Sequence, residues 1–126
     1  MLSELIERVR GTPGRGALVA AERRRASIDA AIAWWVASLR EHGDVNQSTL
    51  DAFGSALTRE LAEQLDKTYR VYLEVNRQPT GILRAAALAS GVGVDSFPSA
   101  TTMSVSDTKV AVSKAALEPY VVLHGR

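Results

Sequence analysis

The chain has 126 residues, a length that suits one domain with a single hydrophobic core. Hydrophobic residues make up 46% of it and charged residues 23%, which excludes a disordered or low-complexity chain. The formal net charge of +1 is too small for a uniformly basic nucleic-acid coat. Because the sequence contains no cysteine, disulfides, thiol catalysis and cysteine-ligated metal sites are excluded.

Charge divides the sequence into two parts. Residues 1–27 contain six arginines and three glutamates and carry a net charge of +3, whereas residues 28–126 carry −2. We therefore predict a basic N-terminal arm over residues 1–27 and a folded domain over residues 28–126. The arm lacks the apolar segment of a signal peptide, and no apolar stretch approaches the roughly 20 residues of a membrane span. The sequence predicts a cytoplasmic protein without membrane contact.

The arm itself is predicted to be a helix followed by a linker. Its apolar residues recur with helical spacing, which predicts a short amphipathic helix over residues 3–10. Such a short helix is marginal alone and needs a surface on which to dock. The segment GTPGRG (11–16) lacks the Lys-Ser/Thr pair of a phosphate-binding loop, so a flexible linker is predicted. The apolar positions of the helix are Leu2, Leu5, Ile6 and Val9.

Two helices joined by a tight turn are predicted next. The first covers residue 17 to about residue 42, and Gly43 is predicted to end it as a left-handed C-cap. Asn46 is predicted to cap the second, which covers about residues 47–65. Each helix has one apolar stripe, and the short connection predicts an antiparallel pair. The stripes are Ile28, Ile32, Trp35, Val36 and Leu39, then Leu50, Phe53, Leu57, Leu61 and Leu65.

After Lys67 the periodicity changes to that of a sheet. Apolar and polar residues alternate from Tyr69 to Val75, which predicts a half-buried strand. A third helix is predicted over residues 80–90, with Gly91 at its end, followed by a loop. Three more strands are predicted over residues 101–105, 109–113 and 120–123. The predicted fold is α+β: an antiparallel helix pair and a third helix on one face of a small antiparallel sheet, with an extra N-terminal helix.

This order of elements, together with several motifs, resembles the BTG/Tob antiproliferative domain. The motifs IDAAI (28–32) and REHGDVNQSTLDAFGSALTREL (40–61) are similar to the first two helices of that family. The strand at residues 69–76 and the helix up to Gly91 continue the similarity. PSATTMSV (98–105) and YVVL (120–123) resemble its second conserved box and its closing strand. The resemblance covers about residues 28–125 and implies a non-catalytic adaptor that binds another protein.

Both partner-binding boxes of the family differ in this chain. The family binds a deadenylase subunit of the Ccr–Not complex, and its first box includes a His-Trp-Phe-Pro loop. Here LDKTY (65–69) joins the second helix directly to the strand, and Ser104 occupies the position of the interface tryptophan in the second box. A buried aromatic anchor typically contributes at least about 2 kcal/mol to an interface. We therefore expect the family's fold with a partner other than the deadenylase.

Few residues suggest enzymatic chemistry. His42 and His124 have no second ligand at helical spacing, so no metal site is predicted, and His42 is expected to bond the end of the first helix. Glu60 and Glu63 lie near one helix face, where we predict a solvated surface with a Glu63–Lys67 ion pair. No nucleophile elbow is present. We expect neither enzyme activity nor a cofactor.

Trp34 is the first candidate for partner binding. It is rotated by about 100° from Trp35 and therefore lies off the apolar stripe. Two interpretations follow: Trp34 packs beneath the N-terminal helix, or it is an exposed interface anchor. Tyr72 and Ser104 are the other two candidates on the folded domain.

The arginines Arg23, Arg24 and Arg25 form the densest charge cluster. They are interpreted as a solvated helix face, as contacts to a partner or to nucleic acid, or as a kinase recognition sequence for Ser27. The sequence thus predicts a non-enzymatic protein-interaction domain, either monomeric or homodimeric. The alternative is a small nucleic-acid-binding regulator that uses the basic arm.

Overall fold

Three α-helices and four strands make up the part of the chain that the computed structural model describes, residues 15–115 and 118–125. The predicted α+β class is confirmed. The predicted helix over residues 3–10 lies outside the described residues, as does most of the predicted linker. The elements are α1 (Arg15–His42), α2 (Gln47–Lys67), β1 (Arg70–Val75), α3 (Gly81–Ser90), a short 3-10 helix (Val94–Ser96), β2 (Thr101–Ser106), β3 (Val110–Ser113) and β4 (Val121–His124).

The first two helices pack against each other in antiparallel orientation. Near their connection, Arg40 donates a hydrogen bond to Gln47, and at the other end Arg24 donates to the carbonyl of Leu65. The Asn46 side chain accepts from the backbone N–H of Thr49 at 2.8 Å, which confirms the predicted N-cap. α1 runs without interruption through the predicted boundary between residues 27 and 28.

Gly43 has a different role from the predicted one. Within the described chain, the glycines with positive φ are Gly81, Gly91 and Gly125, so Gly43 is not a left-handed C-cap. A Cβ atom at Gly43 would lie 2.9 Å from the Cβ of Ser96. Glycine is required there because the 3-10 helix approaches the end of α1 closely. Gly91, in contrast, ends α3 as predicted, and the structure shows that it does so in the left-handed conformation.

The four strands form an antiparallel meander in the order β1-β2-β3-β4. Val71 pairs with Val105 and Leu73 with Met103, and these side chains are buried beneath the helices. Successive strand residues point to opposite faces, so the residues between them face away from the helices. The sheet therefore has a core face and a solvent face, and its order agrees with the predicted meander.

The core lies between the core face of the sheet and the helices. Its aromatic centre is Phe97, whose ring centroid lies 6.1 Å from that of Trp35 and 5.7 Å from that of Phe53. Burying each such side chain contributes roughly 1.5–3 kcal/mol. Phe97 lies in the segment predicted as a loop, and the 3-10 helix directs it inward. Among the described helices, none has both the length and the apolar character needed to cross a membrane.

Candidate functional site

The solvent face of the sheet carries an apolar row that crosses all four strands. The register pairs Tyr72 with Ser104, Ser104 with Ala111, and Ala111 with Val122. On β1, β2 and β3 the neighbours of these residues are buried in the core, so Tyr72, Ser104 and Ala111 share one face, whereas on the outer strand β4 both Val122 and its neighbour Val121 are exposed. Tyr72 is 54% exposed and Val122 46% exposed, so large apolar groups stand at both ends of this row.

Small residues in the middle of the row leave a concave groove. Ser104 and Ala111 form its floor, and Tyr72 and Tyr120 form its walls; we call this the apolar groove. Its volume is about 260 Å³. Small-molecule sites usually measure roughly 300–1,000 Å³, so this groove has the size for an inserted side chain. It follows the strand direction, because Tyr72 lies on β1 and Tyr120 directly precedes β4, and these are the two outer strands of the sheet.

Positive charge collects at one end of the groove. Arg70 and Lys109 line the groove and also a neighbouring cleft of about 490 Å³, which we call the basic cleft. Arg23 and His124 complete the basic side chains of that cleft. Among the described residues, no carboxylate lines the basic cleft, and none forms an ion pair with Arg23, Arg70 or Lys109. The cleft therefore offers uncompensated positive charge to an anionic group.

The opposite end of the solvent face carries the exposed carboxylate of Glu74. Across the sheet, Glu74 pairs with Thr102 and Thr102 with Ser113. Glu74 is four residues from Arg70 on the same strand, a separation of about 13 Å. On the solvent face, β1 therefore presents the cation of Arg70 at one end and the carboxylate of Glu74 at the other.

Arg24, in the middle of the arginine cluster, has a structural role. Its Nε donates to the carboxylate of Asp107 at 2.8 Å, and its other guanidinium nitrogens donate to Asp66 and to the carbonyl of Leu65. These bonds, first that to Asp107 and then that to Asp66, raise the pKa of Arg24 above its ordinary value. Since Ser27 also donates to the carbonyl of Asp107, α1 holds the β2–β3 turn against α2.

This ion pair also affects the basic cleft. Asp107 lies in the turn between Ser106 and Thr108, both of which line the cleft. Its carboxylate is bonded to Arg24 and is therefore turned toward α1. The charges of Arg70 and Lys109 remain available as a result.

The structure brings together three of the six predicted partner-binding residues. Tyr72 and Ser104 are cross-strand neighbours, and Arg23 lines the adjoining basic cleft. Arg25 lines a different cleft, between α1 and α2. Trp34 packs on α1, with its ring centroid 4.9 Å from that of Trp35 in an edge-to-face arrangement.

Trp34 is half-buried and lines a further cleft of about 510 Å³. This cleft lies between α1 and the segment around Pro98, with Lys114 at its rim. α1 contacts the core face of the sheet, so Trp34 and the solvent face are separate surfaces. The predicted packing of Trp34 beneath the N-terminal helix involves residues outside the described part and stays a prediction.

Sequence reasoning missed Arg70, Lys109, Ala111, Tyr120 and Val122 as site residues. Arg70, Lys109 and Ala111 follow the period-two alternation of β1 and β3, whereas Tyr120 and Val122 lie beside and in β4, where burial does not alternate. What the alternation does not give is the register that places them opposite Tyr72 and Ser104.

The other chemical candidates have ordinary structural contacts. The Nδ1–H of His42 donates to the carbonyl of Ser38 at 2.9 Å, the predicted bond to the end of the helix. Glu63 and Lys67 form the predicted ion pair at 3.7 Å. Within residues 15–115 and 118–125, no three His, Asp or Glu side chains are grouped closely enough to hold a metal ion.

No protein-family model matches this chain, and no curated protein matches its sequence. The similarity to the BTG/Tob domain accordingly rests on the residues quoted above.

Proposed function

We propose that this domain is a non-enzymatic protein-interaction module and that the solvent face of the sheet is its binding surface. The observation that supports this best is the apolar row, in which exposed Tyr72 and Val122 flank Ser104 and Ala111 across four strands. Tyrosine is enriched at protein interfaces, and aromatic side chains next to a concavity are typical of binding hot spots.

The rigidity of the face favours binding. Its strands are fixed from below by a core that contains Leu73, Met103 and Val112, all nearly inaccessible to solvent. A preformed surface loses little conformational entropy when a partner docks. The face is only four short strands wide, so it suits a small or transient partner better than a large obligate one.

The resemblance to the BTG/Tob domain supports an adaptor role for the same strand. In that family the second box carries an interface tryptophan, and the corresponding Ser104 forms the floor of the apolar groove. Replacing a large aromatic by serine removes a protruding anchor and leaves a depression. We propose that this chain receives a side chain from its partner at that position, and that the partner differs from the deadenylase.

A nucleic-acid-binding regulator is the second candidate. It is supported by the convergence of Arg23 with Arg70, Lys109 and His124 in the basic cleft, next to the exposed ring of Tyr69. Binding of this kind releases counterions, so its affinity would fall steeply with salt concentration. An apolar protein interface would depend little on salt.

The test is capture of partners by the immobilised protein at low and high salt, with Tyr72→Thr beside the parent protein. Threonine keeps the strand preference while removing the ring. Leu88→Thr is the control, because Leu88 is 65% exposed on α3, away from the solvent face. A protein captured at high salt, lost with Tyr72→Thr and retained with Leu88→Thr is the expected result.

Two other results would contradict the proposal. Loss of the partner with Trp34→Asp, but not with Tyr72→Thr, would move the interface to the cleft beside Trp34. Nucleic acid recovered only at low salt, and equally by every variant, would favour the second candidate instead.

A further inference from the structure

We infer that the solvent face binds an extended peptide segment in which an apolar side chain lies two residues away from a carboxylate. This inference rests on the proposed function and adds the chemistry of the partner. It follows from the spacing of the apolar groove and the basic residues, and from the charge at the two ends of the face.

The spacing gives the sequence pattern. Arg70 lies two residues before Tyr72 on β1, and Lys109 lies two residues before Ala111 on the chain leading into β3. The backbone positions of both cations are therefore about 6.7 Å along the strand direction from those of Tyr72 and Ala111. In an extended peptide, side chains on one side are also two residues apart, at nearly the same distance. An apolar residue in the groove thus places its second neighbour beside Arg70 and Lys109.

The charges give the polarity of the ligand. Beyond Arg70 and Lys109 lie Arg23 and His124 in the basic cleft, which accommodates a second acidic residue farther along the peptide. At the other end of the face, Glu74 favours a basic residue. The complementary segment is acidic, then apolar, then basic, with alternate side chains pointing at the sheet.

The same arrangement of charges disfavours three other ligands of the solvent face: nucleic acid, the chain's own N-terminal residues and a second copy of the chain. A nucleic-acid strand would bring phosphates toward Glu74, about 13 Å from Arg70. The chain's own residues 1–10 contain two glutamates and two arginines, so that segment has no excess of acid for the basic cleft. A second copy of the chain would pack face to face with the first, with the basic end of each copy on the acidic end of the other. The groove wall formed by Tyr72 would then meet the corresponding wall of the second copy, and the groove would remain unfilled.

The experiment uses the full chain and a fluorescein-labelled probe peptide, Glu-Ser-Glu-Ser-Phe-Ser-Lys, followed by fluorescence anisotropy. The comparison peptides replace phenylalanine by serine, or reverse every charge. The protein variant is Arg70→Glu/Lys109→Glu, and its control is Arg59→Glu/Arg84→Glu, which reverses two exposed arginines on α2 and α3. Circular dichroism verifies that both variants are folded.

We expect each comparison peptide to bind at least about tenfold more weakly than the probe, which corresponds to about 1.4 kcal/mol. Arg70→Glu/Lys109→Glu should weaken probe binding by a similar factor and the control variant by less than about twofold. The charge-reversed peptide should bind Arg70→Glu/Lys109→Glu better than it binds the parent protein. This rescue distinguishes complementary charge from a general loss of structure.

Equal binding of all three peptides, or equal effects of the two protein variants, would overturn the inference. Displacement of the probe by single-stranded DNA at a lower concentration than by unlabelled probe would identify nucleic acid as the occupant. Tighter probe binding after Leu5→Asp/Ile6→Asp would identify the chain's own N-terminal arm as the occupant of the solvent face. Dissociation of a homodimer by the probe would identify a second copy of the chain as the occupant. Either result would overturn the inference.

The two proposals fail in distinguishable ways. If the probe does not bind but a captured protein still depends on Tyr72, the peptide chemistry is wrong and the interaction module stands. If neither the probe nor any captured protein depends on Tyr72, both proposals are wrong.

Discussion

Replacing Arg24 with alanine should lower the free energy of unfolding more than replacing either neighbouring arginine. Arg24 joins three elements: α1, on which it lies, the β2–β3 turn through Asp107, and the end of α2 through Asp66 and the Leu65 carbonyl. Arg23 and Arg25 are exposed and form no ion pair among the described residues. The three residues thus provide an internal comparison at adjacent positions.

The size of the effect follows from exposure. A hydrogen bond between charged groups contributes about 1.5–3 kcal/mol when shielded from solvent. The Arg24 side chain is 31% exposed and that of Asp107 is 41% exposed, so we reduce this contribution to about 1 kcal/mol. The Asp66 side chain is 71% exposed, which leaves a few tenths of a kcal/mol for that pair. With the bond to Leu65, the expected loss is about 1.5–2 kcal/mol, or about 5–9 °C in Tm.

Urea unfolding followed by tryptophan fluorescence measures this loss. Arg23→Ala and Arg25→Ala should each change the free energy of unfolding by less than about 0.5 kcal/mol. In a double-mutant cycle, Arg24→Ala and Asp107→Ala should show a coupling energy of about 1 kcal/mol. A coupling energy below about 0.3 kcal/mol, or equal losses for all three arginine variants, would refute the assignment of Arg24 as a structural bridge.

The pH dependence of this contribution has a definite sign. Because the folded state raises the pKa of Arg24, the stabilisation is fully present below the ordinary arginine pKa and disappears only above the raised one. Both values lie well above the pH range in which the protein is handled. The arginine's own titration should therefore leave the difference between the parent protein and Arg24→Ala unchanged between about pH 7 and pH 10.

Three further substitutions test packing and capping, each by urea unfolding. Gly43→Ala would place a Cβ 2.9 Å from that of Ser96 and should cost roughly 1–3 kcal/mol, whereas Gly16→Ala, which has open space around it, should cost nothing; equal effects would contradict the close approach. Asn46→Ala removes the bond to the Thr49 N–H and should cost about 1 kcal/mol, with Asn46→Asp retaining most of the stability. Leu57→Ala empties a fully buried position and should cost roughly 2–5 kcal/mol; a loss below 1 kcal/mol would mean that the core there can collapse.

The helices were predictable because their signals are local. The stripe from Leu50 to Leu65 repeats at helical spacing, and all five of its residues are buried. The cap at Asn46 needs only the next three residues, and the αL end at Gly91 needs only its own helix. Where a signal is contained within a few consecutive residues, its interpretation does not depend on the rest of the fold.

Gly43 and Phe97 show where local signals are insufficient. A glycine after a helix is equally suitable for a left-handed cap and for close approach of another segment. Ser96, distant along the chain, decides between these roles. Phe97 lies in a segment without periodicity, and only the position of the 3-10 helix beside Trp35 places its ring in the core.

The candidate site was predictable only in part, because its residues have local signals but their pairing does not. Tyr72 and Ser104 could be selected from a strand pattern and a family motif, but their pairing depends on a register that turns and packing set together. Arg24 could not be distinguished from its two neighbours, because all three belong to one run of identical residues. The orientation of α1 brings Arg24, and neither of its two neighbours, next to Asp107 and Asp66.

The Arg24 bridge also connects the stability of the fold to the chemistry of the binding surface. Asp107 lies in the same turn as Lys109, and its carboxylate is held by Arg24. Arg24→Ala would free that carboxylate to compete for Lys109 and Arg70, so the acidic probe peptide should bind a few-fold more weakly even though Arg24 touches no part of the apolar groove. Adding Asp107→Asn should restore the affinity without restoring the ion pair. If affinity stays low in that double variant while the protein remains folded, the loss comes from displacement of the turn and not from the released charge.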